Sequence, residues 1–447
     1  MLGALSSDFG KHFVKLSLLL VAFAFFWLKA AHAASDSSTI VAFDYRLGID
    51  FKSQDISLSR LTVNTQTEVK LNHSWSAQLD LRAEFAEDDV GLGSTFHYAK
   101  LNRPLVENKN TRFEIDRAFL QWRSRAHSFT LGKQVTPWGV LDGIQITDRF
   151  DPVRRRDFVF TDVRPDRLAR WGGRWRNKIG GFSLDASLAF DGTVSQQAEI
   201  GAQFFNTSPR FTGGLDITNI PLTISSQRRN STLQQSTFGL RISHSLGDGD
   251  LSLLSFRGPD TDPIISMPAD LATSHTVNVS LSFPRRSLFG ASYDITLGET
   301  VVRGEVAYIP DQTVNIISSI PLQTVSTRRL LAGLGIDWNA PAQWFVNAQV
   351  AIDYLDQQSF TLLRPNMDAI MTVRAQRLFS NGRLLLKGEL LGSLNQQDGV
   401  LRPEFAFEYS DQLKLRAGLD YLFGNINGQF GQFKDNSRVW IAASYTF

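Results

Sequence analysis

Ile40 to Phe51 reads IVAFDYRLGIDF, and the alternation in this run decides the fold. Its odd positions Val41, Phe43, Tyr45, Leu47, Ile49 and Phe51 are apolar, while Asp44, Arg46 and Asp50 fall on even ones. A period of two puts successive side chains on opposite faces of a β-strand. The pattern returns at Leu61 to Leu71, where Val63, Val69 and Leu71 oppose Asn64, Gln66, Glu68 and Lys70. It returns again at Trp75 to Phe85, where Leu79, Leu81 and Phe85 oppose Asp80, Arg82 and Glu84. Strands of a soluble sandwich are usually about five or six residues long, whereas runs of about nine to eleven suit a tilted bilayer crossing with lipid on one face and water on the other. The expected fold is all-β: a transmembrane antiparallel β-barrel.

Outward from that strand, the N-terminus reads as an export signal over residues 1–33. Lys11, His12 and Lys15 precede the apolar run Leu16 to Leu28, and Ala31-His32-Ala33 is a small-x-small cleavage site. As a helix that run rises only about 20 Å, too short for a bilayer of roughly 30 Å. The mature chain is expected to start near Ala34 and to form one barrel domain over residues 34–447. The sequence holds no cysteine, so disulfides, thiol metal sites and a lipid-modified N-terminal cysteine are excluded. Without the signal its charge is near zero, which argues against a nucleic-acid partner.

Further alternating stretches follow, among them Phe113 to Trp122, Thr276 to Phe283, Leu288 to Leu297 and Val439 to Phe447. About nineteen candidates result, and since a closed barrel with both ends in the periplasm needs an even number, about eighteen strands are expected, within sixteen to twenty. Asn72-His73-Ser74, Gly247-Asp248-Gly249 and Ser380-Asn381-Gly382 read as tight periplasmic turns, and Glu87 to Thr111, Asp191 to Gln235, Pro310 to Thr327 and Gly424 to Ser437 as long outer loops. Trp75, Trp122, Trp175, Trp338 and Trp344 all take the apolar parity beside short turns, as an inner aromatic girdle requires.

One stretch departs from wall-building. Leu131 to Arg176 holds nine arginines and six aspartates, including Asp162 and Arg164, and charges at that density need water or each other. Pro137 ends the preceding strand, and Gly139 and Gly143 permit a reversal, so the chain is expected to leave the wall and fold inward. Asp142, Asp148, Asp151, Arg154, Arg155 and Arg156 would form this constriction loop, and Arg117, Arg123, Arg170, Arg174 and Arg176, on the lumen parity, would line the pore. Cations facing carboxylates across a constriction select solutes by charge. The same charges could also serve only to hold a plug in place.

Motifs for other chemistry are missing: there is no G-x-S-x-G, no G-x-G-x-x-G and no phosphate loop. His73, His97, His127, His244 and His275 lack metal-ligand spacing, and the loop aspartates match no calcium-binding loop. No cofactor, metal or enzymatic activity is expected. The run GKQVTPWGVLDGIQITDRFDP (Gly132 to Pro152), the RRRDF at Arg154 to Phe158 and the closing LRAGLDYLFGNINGQFGQFKDNSRVWIAASYTF resemble a family of proteobacterial outer-membrane porin-like proteins. More distantly, the Arg/Asp design is similar to the alginate-export porin. The resemblance implies a Gram-negative outer-membrane barrel that passes a solute or an exported polymer. The alternation of Val439 to Phe447, closing on a terminal phenylalanine, looks like the C-terminal signature by which the barrel-assembly machinery recognises such barrels. The expected protein is a monomeric or homotrimeric channel, surrounded by outer-membrane lipid, for polar or anionic solutes. The alternatives are a plugged scaffold barrel for an exported partner protein, or a barrel enzyme acting on lipid or polysaccharide.

Overall fold

The computed structural model describes residues 37–447 except 88–91, 93–95, 159–165, 209–221, 227–231, 267–276, 318–322, 357–360 and 363. The expected signal, Ala34, Asp162, Arg164 and His275 lie outside the described residues. Eighteen strands form a closed antiparallel barrel with almost no helix. The first, Ser37–Asp50, pairs with Ile56–Lys70 on one side and with the last, Arg438–Thr446, on the other. Closure leaves no unpaired sheet edge, the condition that hydrocarbon imposes on a backbone crossing it.

Alternation sorts the two faces as read from the sequence. Leu131, Leu253, Phe289, Leu334 and Ile441 stand exposed on the outer face, while charged residues occupy the inner one. Eight connections at one end have four residues or fewer: 71–74, 124–126, 180–181, 247–248, 298–299, 341–343, 380–383 and 409–412. Gly180 and Gly247 take positive φ there (52° and 63°), which is open to glycine at little steric cost. Beside these turns Trp75 lies opposite Trp122, Trp122 opposite Phe129, and Phe129 opposite Trp175, forming one continuous aromatic row. The opposite end carries the longer connections and is the outer end.

Two expectations are corrected. Thr276 to Phe283 supplies no wall strand: Val277–Ser282 pairs parallel with Leu222–Ser226 and antiparallel with Ile264–Ser266 in a separate three-stranded sheet. Its 6 residues are too few for a crossing, and Gly249–Pro259 already pairs directly with Arg285–Leu297, leaving no edge for it. Pro310 to Thr327 is not simply a loop, because the hairpin Thr300–Ile317 and Gln323–Ala340 continues through it. A register shift between Ile309 and Gln312 accommodates Pro310, which cannot donate to the ladder. These two strands have 18 residues each, against 8 for His127–Gln134 and 8 for Phe182–Ala189, so the wall is uneven in height.

Candidate functional site

Over part of Gly249–Pro259, Arg285–Leu297, Thr300–Ile317, Gln323–Ala340 and Trp344–Leu355 the wall is apolar on both parities. Phe289, Tyr308 and Leu330 face outward, and their neighbours Leu288, Ile309 and Leu331 are buried inside with Leu254, Phe256, Ala307 and Ala351. On this inner patch sits a segment of the chain that follows Gln134, from Trp138 to Phe150. Trp138, Ile144, Ile146 and Phe150 are buried in the same cluster, with ring centroids 5.1 Å apart for Trp138–Phe150 and 5.8 Å for Phe150–Phe256. Wall glycines make the room: a Cβ on Gly239 would stand 2.6 Å from the Trp138 ring, and one on Gly335 would stand 2.8 Å from Leu141. Glu305 adds the polar anchor. Its carboxylate accepts the backbone N–H groups of Val140, Leu141 (2.7 Å) and Thr147 (2.9 Å), and the Thr147 hydroxyl (2.7 Å). Trp138 donates its indole N–H to Asp185 at 3.1 Å.

The other end of the segment is held by charge. Arg154 reaches Glu114 (2.8 Å), Asp116 (3.2 Å) and Asp166 (3.3 Å). Asp157 accepts from Arg60 at 2.5 and 2.9 Å. Burial alone would raise the Asp157 carboxyl, but Arg60 and Arg156 outweigh it and hold it well below the usual carboxylate range. Asp262, in the connection after Gly249–Pro259, is likewise pushed down to about 2, because Arg155 and Arg149 outweigh its burial. Arg155 reaches Asp262 at 2.8 Å.

Beside the segment lies a cavity of about 1150 Å³. Its lining is asymmetric. The contiguous arc from Met367–Phe379 through Arg438–Thr446 to Ser37–Asp50 contributes Arg46, Arg374, Lys387, Lys414, Arg416 and Arg438 against Asp44 and Glu404. The facing side contributes Arg60, Arg82, Arg117 and Arg167 against Asp116, Asp142, Asp157 and Asp166. Among the described residues, six cations oppose two acids on one side, and four oppose four on the other.

Of the residues singled out in the sequence, Arg117 and Asp142 line this cavity. Arg117 reaches the lumen through a register shift between Asp80 and Leu81, which leaves Asp116 without a ladder partner. Arg170 is buried away from the cavity: it donates to the Phe150 carbonyl (2.6 Å) and Thr237 (3.0 Å) and stands 3.6 Å from Asp151. Asp148 pairs with Arg167, and Arg156 lies 3.7 Å from Asp157. Arg174 is bound at both ends by Asp185 (2.8 and 2.5 Å), and Arg123 and Arg176 stand near the short-turn end, exposed. Arg374, Lys387 and Arg416 were legible only as lumen-parity positions of ordinary wall strands. In LKLRAGLDYLF (Leu413–Phe423) the charges alternate with leucines and carry no local motif.

The family described as "Protein of unknown function (DUF1302)" matches residues 49–331. The chain is a DUF1302 protein. No curated relative matches its sequence. Among solved structures, this DUF1302 barrel is similar to OccAB2 of Acinetobacter baumannii (TM-score 0.51, 11% identity, 93% of this chain and 98% of that chain). It is also similar to OccAB3 of the same organism (TM-score 0.50, 11% identity, 92% and 99%) and to OpdK of Pseudomonas aeruginosa, solved with vanillate (TM-score 0.50, 7% identity, 93% and 99%). The DUF1302 barrel therefore has the fold of an outer-membrane porin-like channel of Gram-negative bacteria.

Proposed function

We propose that the barrel passes small anionic or polar solutes, with the described part of the segment that follows Gln134, from Val135 to Phe158, as its constriction. The observation that carries this reading is the unequal charge of the two cavity walls, six cations against two acids facing a balanced side. A field across a narrow, water-filled path raises the local concentration of anions and orients dipolar solutes. Arg374 matters most, because among the described residues it forms no ion pair and lies over the Phe345 ring at 5.6 Å. Arg117 and Asp142 belong to the balanced wall, and Arg123, Arg174 and Arg176 to the inner approach. Asp148, Asp151 and Arg154 to Arg156 hold the segment in place, and Arg170 anchors its end. The reading assigns no catalytic residue, and it allows a monomer or a homotrimer. An exported polymer, the cargo implied by the likeness to the alginate-export porin, would use the same wall if it is acidic.

Single-channel conductance of the refolded chain in a planar bilayer under a salt gradient tests this. The expected result is stable conductance with a reversal potential that favours anions. A folded barrel that conducts no ions would favour a plugged scaffold, and cation preference would exclude the charged-wall mechanism.

A further inference from the structure

Part of the outer face of the wall is recessed. Two shallow apolar recesses of about 570 and 490 Å³ share Leu120 and Leu131, so they form a single groove. The groove lines up the small residues Ala77, Ala118, Gly132, Gly173 and Ala186, with Trp175 beside its inner half and Trp171 beside its outer half. Gly132 holds φ at +137° and a Cβ there would meet the Ala118 carbonyl at 2.2 Å, so this position excludes any side chain. Just beyond it the strand leaves the wall: His127–Gln134 pairs with its neighbour only as far as Ala118. The Lys133 ammonium donates to the Ile115 carbonyl above that point.

A strap of chain meets the outer end of the groove at Trp171. Lys100–Asn102 forms a single 3-10 turn whose Leu101 carbonyl accepts the Trp171 indole N–H at 2.9 Å, and Asn102 donates to the Ala169 carbonyl at 2.8 Å. Leu101 and Leu105 are exposed at 64% and 58%, an apolar surface at the height where the wall is lowest. Lys100, Arg103 and Lys109 are exposed on the same strap, and among the described residues none of them forms an ion pair. The strap belongs to the long-connection end, which faces the outer leaflet.

We propose that groove and strap bind a phosphorylated glycolipid of the outer leaflet, lipid A in chemical class, with one acyl chain laid along the groove and a phosphate held by Lys100 and Arg103. An apolar groove that meets, at Trp171, a strap carrying exposed cations with no ion pair among the described residues complements a lipid with an anionic head and disfavours neutral ones. Each cation near a phosphate surface is worth about five-fold in affinity.

The test is native mass spectrometry of the refolded full chain, counting retained lipid A with phosphatidylglycerol or fully dephosphorylated lipid A as competitor. Two variants probe the two parts separately. Lys100→Glu with Arg103→Glu reverses the head site. Gly173→Ile fills the groove, and since a Cβ there meets nothing closer than 4.0 Å the variant is expected to fold. Both are expected to lower lipid A retention, at least about five-fold for the head variant by the same per-cation figure, with the dephosphorylated lipid unaffected by it. Equal retention across wild type and both variants would overturn the proposal. So would equal competition by fully dephosphorylated lipid A, or a Gly173→Ile chain that loses self-association while keeping its lipid, which would make the groove a subunit interface.

Discussion

The arc from Gly249–Pro259 to Trp344–Leu355 and the arc from Met367–Phe379 round to Ser37–Asp50 are built alike, from long alternating strands with leucine-rich outer faces. They differ on the inside. The first buries Leu288, Ile309 and Leu331 under a folded segment, and the second leaves Arg374, Lys387 and Arg416 facing an open cavity. The difference shows that in a barrel the outer face answers to lipid everywhere, while inner polarity decides what the lumen holds. Where inner side chains are apolar, chain displaces water; where they are ionic, water and ions stay, because dehydrating a charge costs several kcal/mol even when it is paired, as Lys387 is with Glu404 and Arg416 with Asp44.

The largest break in this comparison should come from undoing the dock. Trp138→Ala removes a fully buried indole, which costs about 3–5 kcal/mol, and frees the segment from the wall. Gly335→Leu reaches the same end from the wall side by wedging Leu141 away. Both are expected to raise single-channel conductance while the barrel keeps its heat-modifiable gel mobility, and unchanged conductance would remove the segment from the ion path. A smaller effect is expected on the other arc. Arg374→Gln with Arg416→Gln should move the reversal potential toward neutrality, by more than Arg174→Gln with Arg176→Gln, since Arg174 is neutralised by Asp185. An equal shift from the two pairs would mean that the inner mouth, not the arc, sets selectivity.

Acid should act last and least. Asp157 and Asp262 have carboxyls held below the ordinary value, so their ion pairs contribute fully above the unfolded value of about 4 and fade as pH falls toward about 2. The charged end of the segment is thus expected to loosen in that window while the apolar end holds. Conductance recorded at pH 5 and at pH 2.5 should rise in acid, and a rise that begins above pH 5 would point to other groups.

Much of this architecture was legible because lipid imposes a regular code. The period of two in Ile40 to Phe51, the tryptophans beside short turns and the alternation ending on Phe447 all report a wall with one apolar face. The surplus strand at Val277–Ser282 could not be told apart this way, since six alternating residues look the same in the wall or in a small sheet above it. The inner dock left a faint sign, adjacent apolar pairs such as Leu288-Phe289 and Leu330-Leu331 that break the alternation. Which arginines line the cavity was hidden, because that depends on register across strands distant in sequence. Arg416, for example, meets Asp44 only after the ring has shut.

That last contact carries a kinetic consequence. The pairs that seal the barrel, such as Ser444 with Asp44, join residues 400 apart, while Thr147 meets Glu305 across 158. Shorter separations cost less entropy to bring together. Assembly is therefore expected to run from the middle of the chain outward, with the seam last. Because the sequence has no native cysteine, a pair introduced at Asp142 and Gln349 and another across the seam would time the two events by cross-linking, and a seam that forms first would reverse the order.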